Sequence, residues 1–187
     1  MSKIVVIARY KEDISWSNGL YCNKIIYNKF YEEGIVLPNV GKESHTYLTH
    51  IINNYDNLCD MNIFTQGNPI FHSASFVRKV NNLKPWVGFK GLSDSNFETN
   101  WNGLPHHKTP LRVGWYCEEL LEFTPPEKWI FNGNGMFAVH KNLILRHKLD
   151  FYKKLFKLIY KDMCLPWILE RLWHPLFKGG FMTKFYL

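Results

Sequence analysis

Near its end the chain reads WILERLWHPLF, which sets Glu170 and His174 four residues apart. On a helix that spacing puts both side chains on one face. A carboxylate and an imidazole so placed can serve as a general base and as a metal or phosphate contact; a plain surface pair is the alternative. A second group ends the run IFTQGNPIFH, where Gln66, Gly67, Asn68 and His72 follow apolar residues. These bring amide oxygens and an imidazole but no negative charge, and a simple polar turn is the other reading. In FNGNGMFAV, Gly133 and Gly135 flank Asn134, so the backbone there can approach a ligand closely or take positive φ. The stretch fits neither GxGxxG nor a Walker A sequence, and a tight hairpin is the competing reading. His106 and His107 are adjacent on an irregular stretch, a spacing that points two imidazoles apart and argues against a metal pair.

These groups need elements to position them. KIVVIARY is a continuous apolar run, as in a parallel strand buried on both faces. Asp13 or Ser15 can cap the short helix that follows, and Asn18-Gly19 ends it. NKIIYNK predicts a second strand, KESHTYLTHIINNY a helix and DMNIFTQ a third strand. Strand, helix, strand, helix, strand is the order of a mostly parallel α/β sheet flanked by helices. Ligands of such sheets sit beyond the carboxyl ends of the strands. Those ends carry Arg9, Tyr10, Glu12 and Asp13 in the first strand, Asn28 and Lys29 in the second, and Gln66, Asn68 and His72 after the third. Arginine can neutralise phosphate, carboxylates and amides can read a ribose or base, and a tyrosine can stack. Residues 73–128 show little periodicity and read as a long irregular stretch. KWIFNGNGMFAVHKNLIL predicts strand, turn, strand and helix. Two helices close the chain, with Pro166 in the first turn of the second.

The 187 residues fit a single domain. Four scattered cysteines (Cys22, Cys59, Cys117 and Cys164) lack zinc spacing and suit a reducing compartment. MSKIVVIARY turns polar too soon for a signal peptide, and no run reaches 18 apolar residues, so a cytoplasmic protein is expected. The net charge of +7 favours an anionic partner. The five arginines are dispersed, which argues against specific nucleic-acid binding. RHKLDFYKKLFKLIYK reads either as a helix with a solvated basic face or as a basic amphipathic helix in peripheral contact with a membrane.

The blocks ARYKEDISW, IYNK, LPNVGKESHTYLTHIINNYDNL, IFTQGNP, GNGMFAVHKNLIL and LERLWHPLF occur in this order. Together they resemble a domain family of unknown function with fungal, bacterial and large-virus members, itself similar to glycosyltransferases of the GT-A type. PNVGKESHTYL and ERLWHPLF are the most specific blocks. The resemblance implies one GT-A-like, Rossmann-like domain over residues 1–187, with a nucleotide-binding half at 1–72 and an acceptor-side half at 73–187. It implies transfer of a sugar from a nucleotide-diphosphate donor to a hydroxyl of a glycan. Arg9, Tyr10, Glu12, Asp13 and Asn28 would then hold the nucleotide, and Gly133 and Gly135 would form the glycine loop. Gln66, Gly67 and Asn68 occupy the place of the family's metal-binding aspartates. Glu170 would be the general base and His174 the late histidine on a metal. With amides replacing aspartates, the expected arrangement is Mn2+ (or Mg2+) bridging the donor diphosphate with His72 or a nearby acid as ligand; the alternative is that Lys and Arg stabilise the leaving diphosphate without metal. Direct attack would invert the sugar; Asp94 and Glu118 are substitute bases, and Trp86, Trp101 and Trp115 are expected along the acceptor groove. The missing aspartates also support a different class, a catalytically degenerate glycan- or nucleotide-binding module of the same fold.

Overall fold

The structure, a computed structural model, describes residues 1–105 and 107–183; His106 of the double histidine lies outside the described residues. Its centre is a six-stranded sheet in the order β3-β2-β1-β4-β8-β5. β1 is Lys3–Arg9, β2 Asn23–Asn28, β3 Ile35–Val36, β4 Met61–Gln66, β5 Phe89–Gly91 and β8 Phe137–His140. β1 to β4 are mutually parallel, while β8 runs antiparallel to both β4 and β5. The expected mostly parallel α/β sheet is therefore present. β6 (Asn96–Asn100) and β7 (Lys128–Asn132) make a separate antiparallel pair.

The apolar runs are continuous because both faces of the sheet are covered. Val6, Ala8 and Phe64 face α1 (Lys42–Asn53), α5 (Leu149–Ile159) and α6 (Leu165–Lys178). Val5, Ile7 and Ile63 face the other way, onto Phe76 and Val80 of α2 (Phe76–Asn81). Gly41 starts α1 at φ 60°, where a Cβ would lie 2.2 Å from Ile159, so both backbone and space demand glycine. Pro166 sits in the first turn of α6, as its sequence position predicts.

Two expectations change. Residues 73–128 hold α2, β5, β6 and α3 (Val113–Leu121) rather than one irregular stretch. β7 and β8 do not pair with each other, so Asn132–Met136 is a crossover between two sheets and not a hairpin. α5 buries its apolar side, Tyr152, Leu155 and Ile159, in the core and turns Lys153, Lys154 and Lys157 outward. Phe151, Phe156 and Leu158 are partly buried against the same core, which fits the solvated-basic-face reading of this helix. Among the described residues no helix is long and apolar enough to cross a membrane. The halves at 1–72 and 73–187 share the central sheet, since β4 pairs with β8.

Candidate active site at the carboxyl ends of the parallel strands

Register aligns the strand ends: Ala8 lies opposite Gln66, and Arg9 opposite Asn28. Between β1 and β4 the chain order reverses, the place where a doubly wound sheet opens a crevice. A pocket of about 260 Å³ lies there, lined among others by Arg9, Tyr10, Glu12, Lys29, Lys42 and Gln66. Its volume falls just below the range for whole small-molecule sites, which suits the charged part of a larger ligand.

Lys29 is 8% exposed and donates from Nζ to the Val40 carbonyl at 2.6 Å and to the Lys42 carbonyl. Burial lowers its pKa to about 8, with the nearby Glu43 charge opposing the shift. Arg9 donates from Nε to the Glu12 carbonyl at 3.0 Å and lays its guanidinium over Tyr31, 4.3 Å from the ring centre. The Glu12 carboxylate accepts the Tyr10 N–H at 2.7 Å. Gly67 lies close opposite Glu12: a Cβ there would lie 2.5 Å from Oε2, so that side chain would have to shift. The start of α1 opens on the same pocket through Lys42 and Glu43, and a helix N-terminus favours bound anions.

Behind this pocket two carboxylates meet the glycine loop. Glu170, 13% exposed at its side chain, accepts the backbone N–H of Asn134. Gly135, at φ 59°, approaches Glu43 so closely that a Cβ would lie 3.3 Å from Oε1. Burial first, then the Glu43 charge, pushes the Glu170 pKa up to about 7. Burial also raises that of Glu43. Both charges act on Tyr47, which is fully buried with its hydroxyl unpartnered. Arg171 fixes this part of α6, donating to Trp167 O at 2.6 Å, Thr99 Oγ1 at 3.2 Å and Gly103 O at 3.3 Å.

Of the residues singled out from sequence, Arg9, Tyr10, Glu12 and Gln66 line one pocket, with Gly67 against Glu12. Glu170 and Gly135 both meet Glu43, which lines it, through charge and close approach respectively. Gly133 instead packs against Phe97, where a Cβ would lie 2.3 Å from the ring. Others have local duties. Asp13 is exposed and caps Ser15 through both its N–H (2.9 Å) and its hydroxyl (2.6 Å). Asn28 turns its amide NH2 to the Glu33 carbonyl, and Asn68 is exposed. His72 ends the short 3-10 turn Pro69–Phe71, and its carbonyl accepts the Asp94 N–H at 3.1 Å. Of the substitute bases, Asp94 pairs with Lys79 and Ser73, while Glu118 is exposed. The tryptophans diverge: Trp101 packs on Gly114, Trp115 lies under Arg112, and Trp86 lines a cavity with Arg78 and Lys84.

His174 lies edge-on to Phe89 at 5.4 Å, its Nδ1 buried and unpartnered, and burial lowers its pKa. It lines a void of about 10 Å³ together with Glu170, but not the pocket of Arg9 and Lys29. Among the described residues no three His, Cys, Asp or Glu side chains gather as metal ligands. His72 and His174 line different parts of the molecule, so any ion at the donor would be held by one of them at most, together with the donor's own phosphates.

Lys42 and Glu43 escaped the functional reading of the sequence. Their signal was PNVGKESHTYL, where a glycine precedes a helix start carrying adjacent opposite charges. Residues 4–84 match a family model described as "Protein of unknown function (DUF3431)". That span contains every residue lining the strand-end pocket and excludes Glu170. No curated protein and no solved structure matches the chain.

Proposed function

We propose that the protein is a glycosyltransferase of GT-A-like fold, moving a sugar from a nucleotide-diphosphate donor to a glycan hydroxyl. The observation that carries this reading is the convergence of three parallel strand ends and one helix start on a single pocket bearing Arg9, Lys29 and Lys42. The diphosphate would lie among these cations, with Gln66 and the Glu12 region toward its neutral parts. Tyr10, 38% exposed at the rim, suits stacking on the base.

In the transfer, the acceptor oxygen attacks the anomeric carbon while Glu170 takes its proton. The bond from that carbon to the diphosphate oxygen breaks, and the nucleoside diphosphate leaves with the electron pair. Arg9, Lys29 and Lys42 stabilise the charge gathering on that leaving group. A pKa near 7 suits Glu170 to general-base work at neutral pH. Single displacement inverts the anomeric centre. The second reading, a degenerate binding module, is favoured by the amides standing where aspartates would be. The two part on turnover. Release of nucleoside diphosphate from a nucleotide sugar, abolished in Glu170→Gln, supports the enzyme; binding without any release supports the module.

A further inference from the structure

Two cavities away from the strand-end pocket share one side chain. One, about 540 Å³, is lined by Phe89, Lys90, Ser93, Asn96, His174 and Lys178 among others. The other, about 520 Å³, is lined by Arg78, Lys79, Lys84, Trp86 and Lys90 among others. Lys90 belongs to both. It stands on β5, the edge strand of the central sheet, and is exposed. Among the described residues no aspartate or glutamate lines either cavity. Lys79 is offset by its ion pair with Asp94, but Arg78, Lys84, Lys90 and Lys178 have no acidic partner among the described ion pairs.

The first of these cavities also borders the catalytic end of the molecule. Phe89, Asn132 and His174 line both it and the small void that Glu170 and Gly135 border. Phe89, Asn132 and His174 thus stand between Glu170 and the first cavity, and Lys90 stands between the first cavity and the second. We propose that the two cavities form one basic trough across Lys90, that this trough holds the acceptor and that the acceptor is an acidic oligosaccharide. Resting on the glycosyltransferase reading, this inference adds the substrate class. The cations meet carboxylates spaced along the chain, Ser93 and Asn96 meet hydroxyls, and Phe89 and Trp86 give flat apolar surface to sugar faces. Both rings are half-buried rather than projecting, which suits sugar faces better than the open stacking platforms that single-stranded nucleic acids use.

The test is calorimetric titration of the whole protein at about 150 mM salt, where exposed charges are screened within ~8 Å. The probes are a uronic-acid oligomer, a neutral glucose oligomer of equal length and a single-stranded oligonucleotide. The uronic-acid oligomer is expected to bind, the neutral oligomer to bind at least about tenfold more weakly. Lys90→Glu should weaken the uronide about tenfold, and Lys154→Glu, the same charge change on the outer face of α5, should leave it unchanged. Nucleotide-sugar affinity, measured separately on Lys90→Glu, should equal that of the parent protein, which keeps the donor-site reading distinct. Absence of uronide binding, equal binding of the neutral oligomer, tighter binding of the oligonucleotide, or equal loss in Lys90→Glu and Lys154→Glu would each overturn the proposal.

Discussion

The backbone N–H of Asn134 donates to the carboxylate of Glu170, joining the crossover between the two sheets to the last long helix. The neighbouring Gly135 lies near Glu43 at the start of α1, where a Cβ on it would come within 3.3 Å of Oε1. One short loop therefore brings two carboxylates from distant parts of the chain near each other, in surroundings whose burial raises the pKa of both.

Glu170→Gln keeps an oxygen that can accept the Asn134 N–H while removing the base. Nucleotide-sugar turnover should fall by about 10²–10⁴, with donor affinity by calorimetry within about twofold of the parent. Unchanged turnover would remove Glu170 as the base.

The same carboxyl makes stability depend on pH. Its folded pKa, about 7, lies above its ordinary value of 4.5, so the native state holds the proton more tightly than the unfolded chain. Its contribution is full below 4.5 and is lost as pH rises toward 7. Melting temperatures from acid to neutral pH should show Glu170→Gln gaining on the parent as pH rises. A constant difference would contradict the raised pKa.

Lys29 sets the opposite limb of an activity profile. Its pKa is lowered to about 8, so the free protein loses this cation above that pH. With Glu170 needing to be ionised, kcat/KM is expected to rise through about 7 and fall beyond about 8. In Lys29→Met the alkaline limb should disappear and donor affinity should drop about tenfold, roughly 1.4 kcal/mol.

Much of the first half was legible because its strands are buried on both faces and read as unbroken apolar runs, as in KIVVIAR. Partner choice was not. β7 leaves the central sheet to pair with β6, and nothing local to NGNG distinguishes that from a hairpin. β5 has three residues, too few for alternation to register. Polar types at strand ends were readable, but side-chain direction was not. Asn28 turns to Glu33 while its neighbour Lys29 faces the pocket. Asp13 satisfies a turn, and the Glu43–Glu170 encounter is purely tertiary.

Arg171 gives a stability test. It is fully buried and binds carbonyl or hydroxyl oxygens of Trp167, Thr99 and Gly103, with Phe131 4.8 Å beneath its guanidinium. Arg171→Met leaves those acceptors unmet, which should cost about 3 kcal/mol in denaturant unfolding. A change under about 0.5 kcal/mol would contradict its role in tying α6 to the β6–β7 pair.

Occupancy of the strand-end pocket tests the central claim most directly. UDP- and GDP-linked sugars titrated calorimetrically into the parent protein and into Gly67→Ala give the reading. Alanine there would push a Cβ to 2.5 Å from Glu12 Oε2 and displace that side chain within the pocket. At least one nucleotide sugar is expected to bind the parent with submillimolar Kd, and about tenfold more weakly to Gly67→Ala. No binding of any nucleotide sugar at millimolar concentration to the folded parent, or equal binding to the variant, would contradict the assignment of this pocket to the donor.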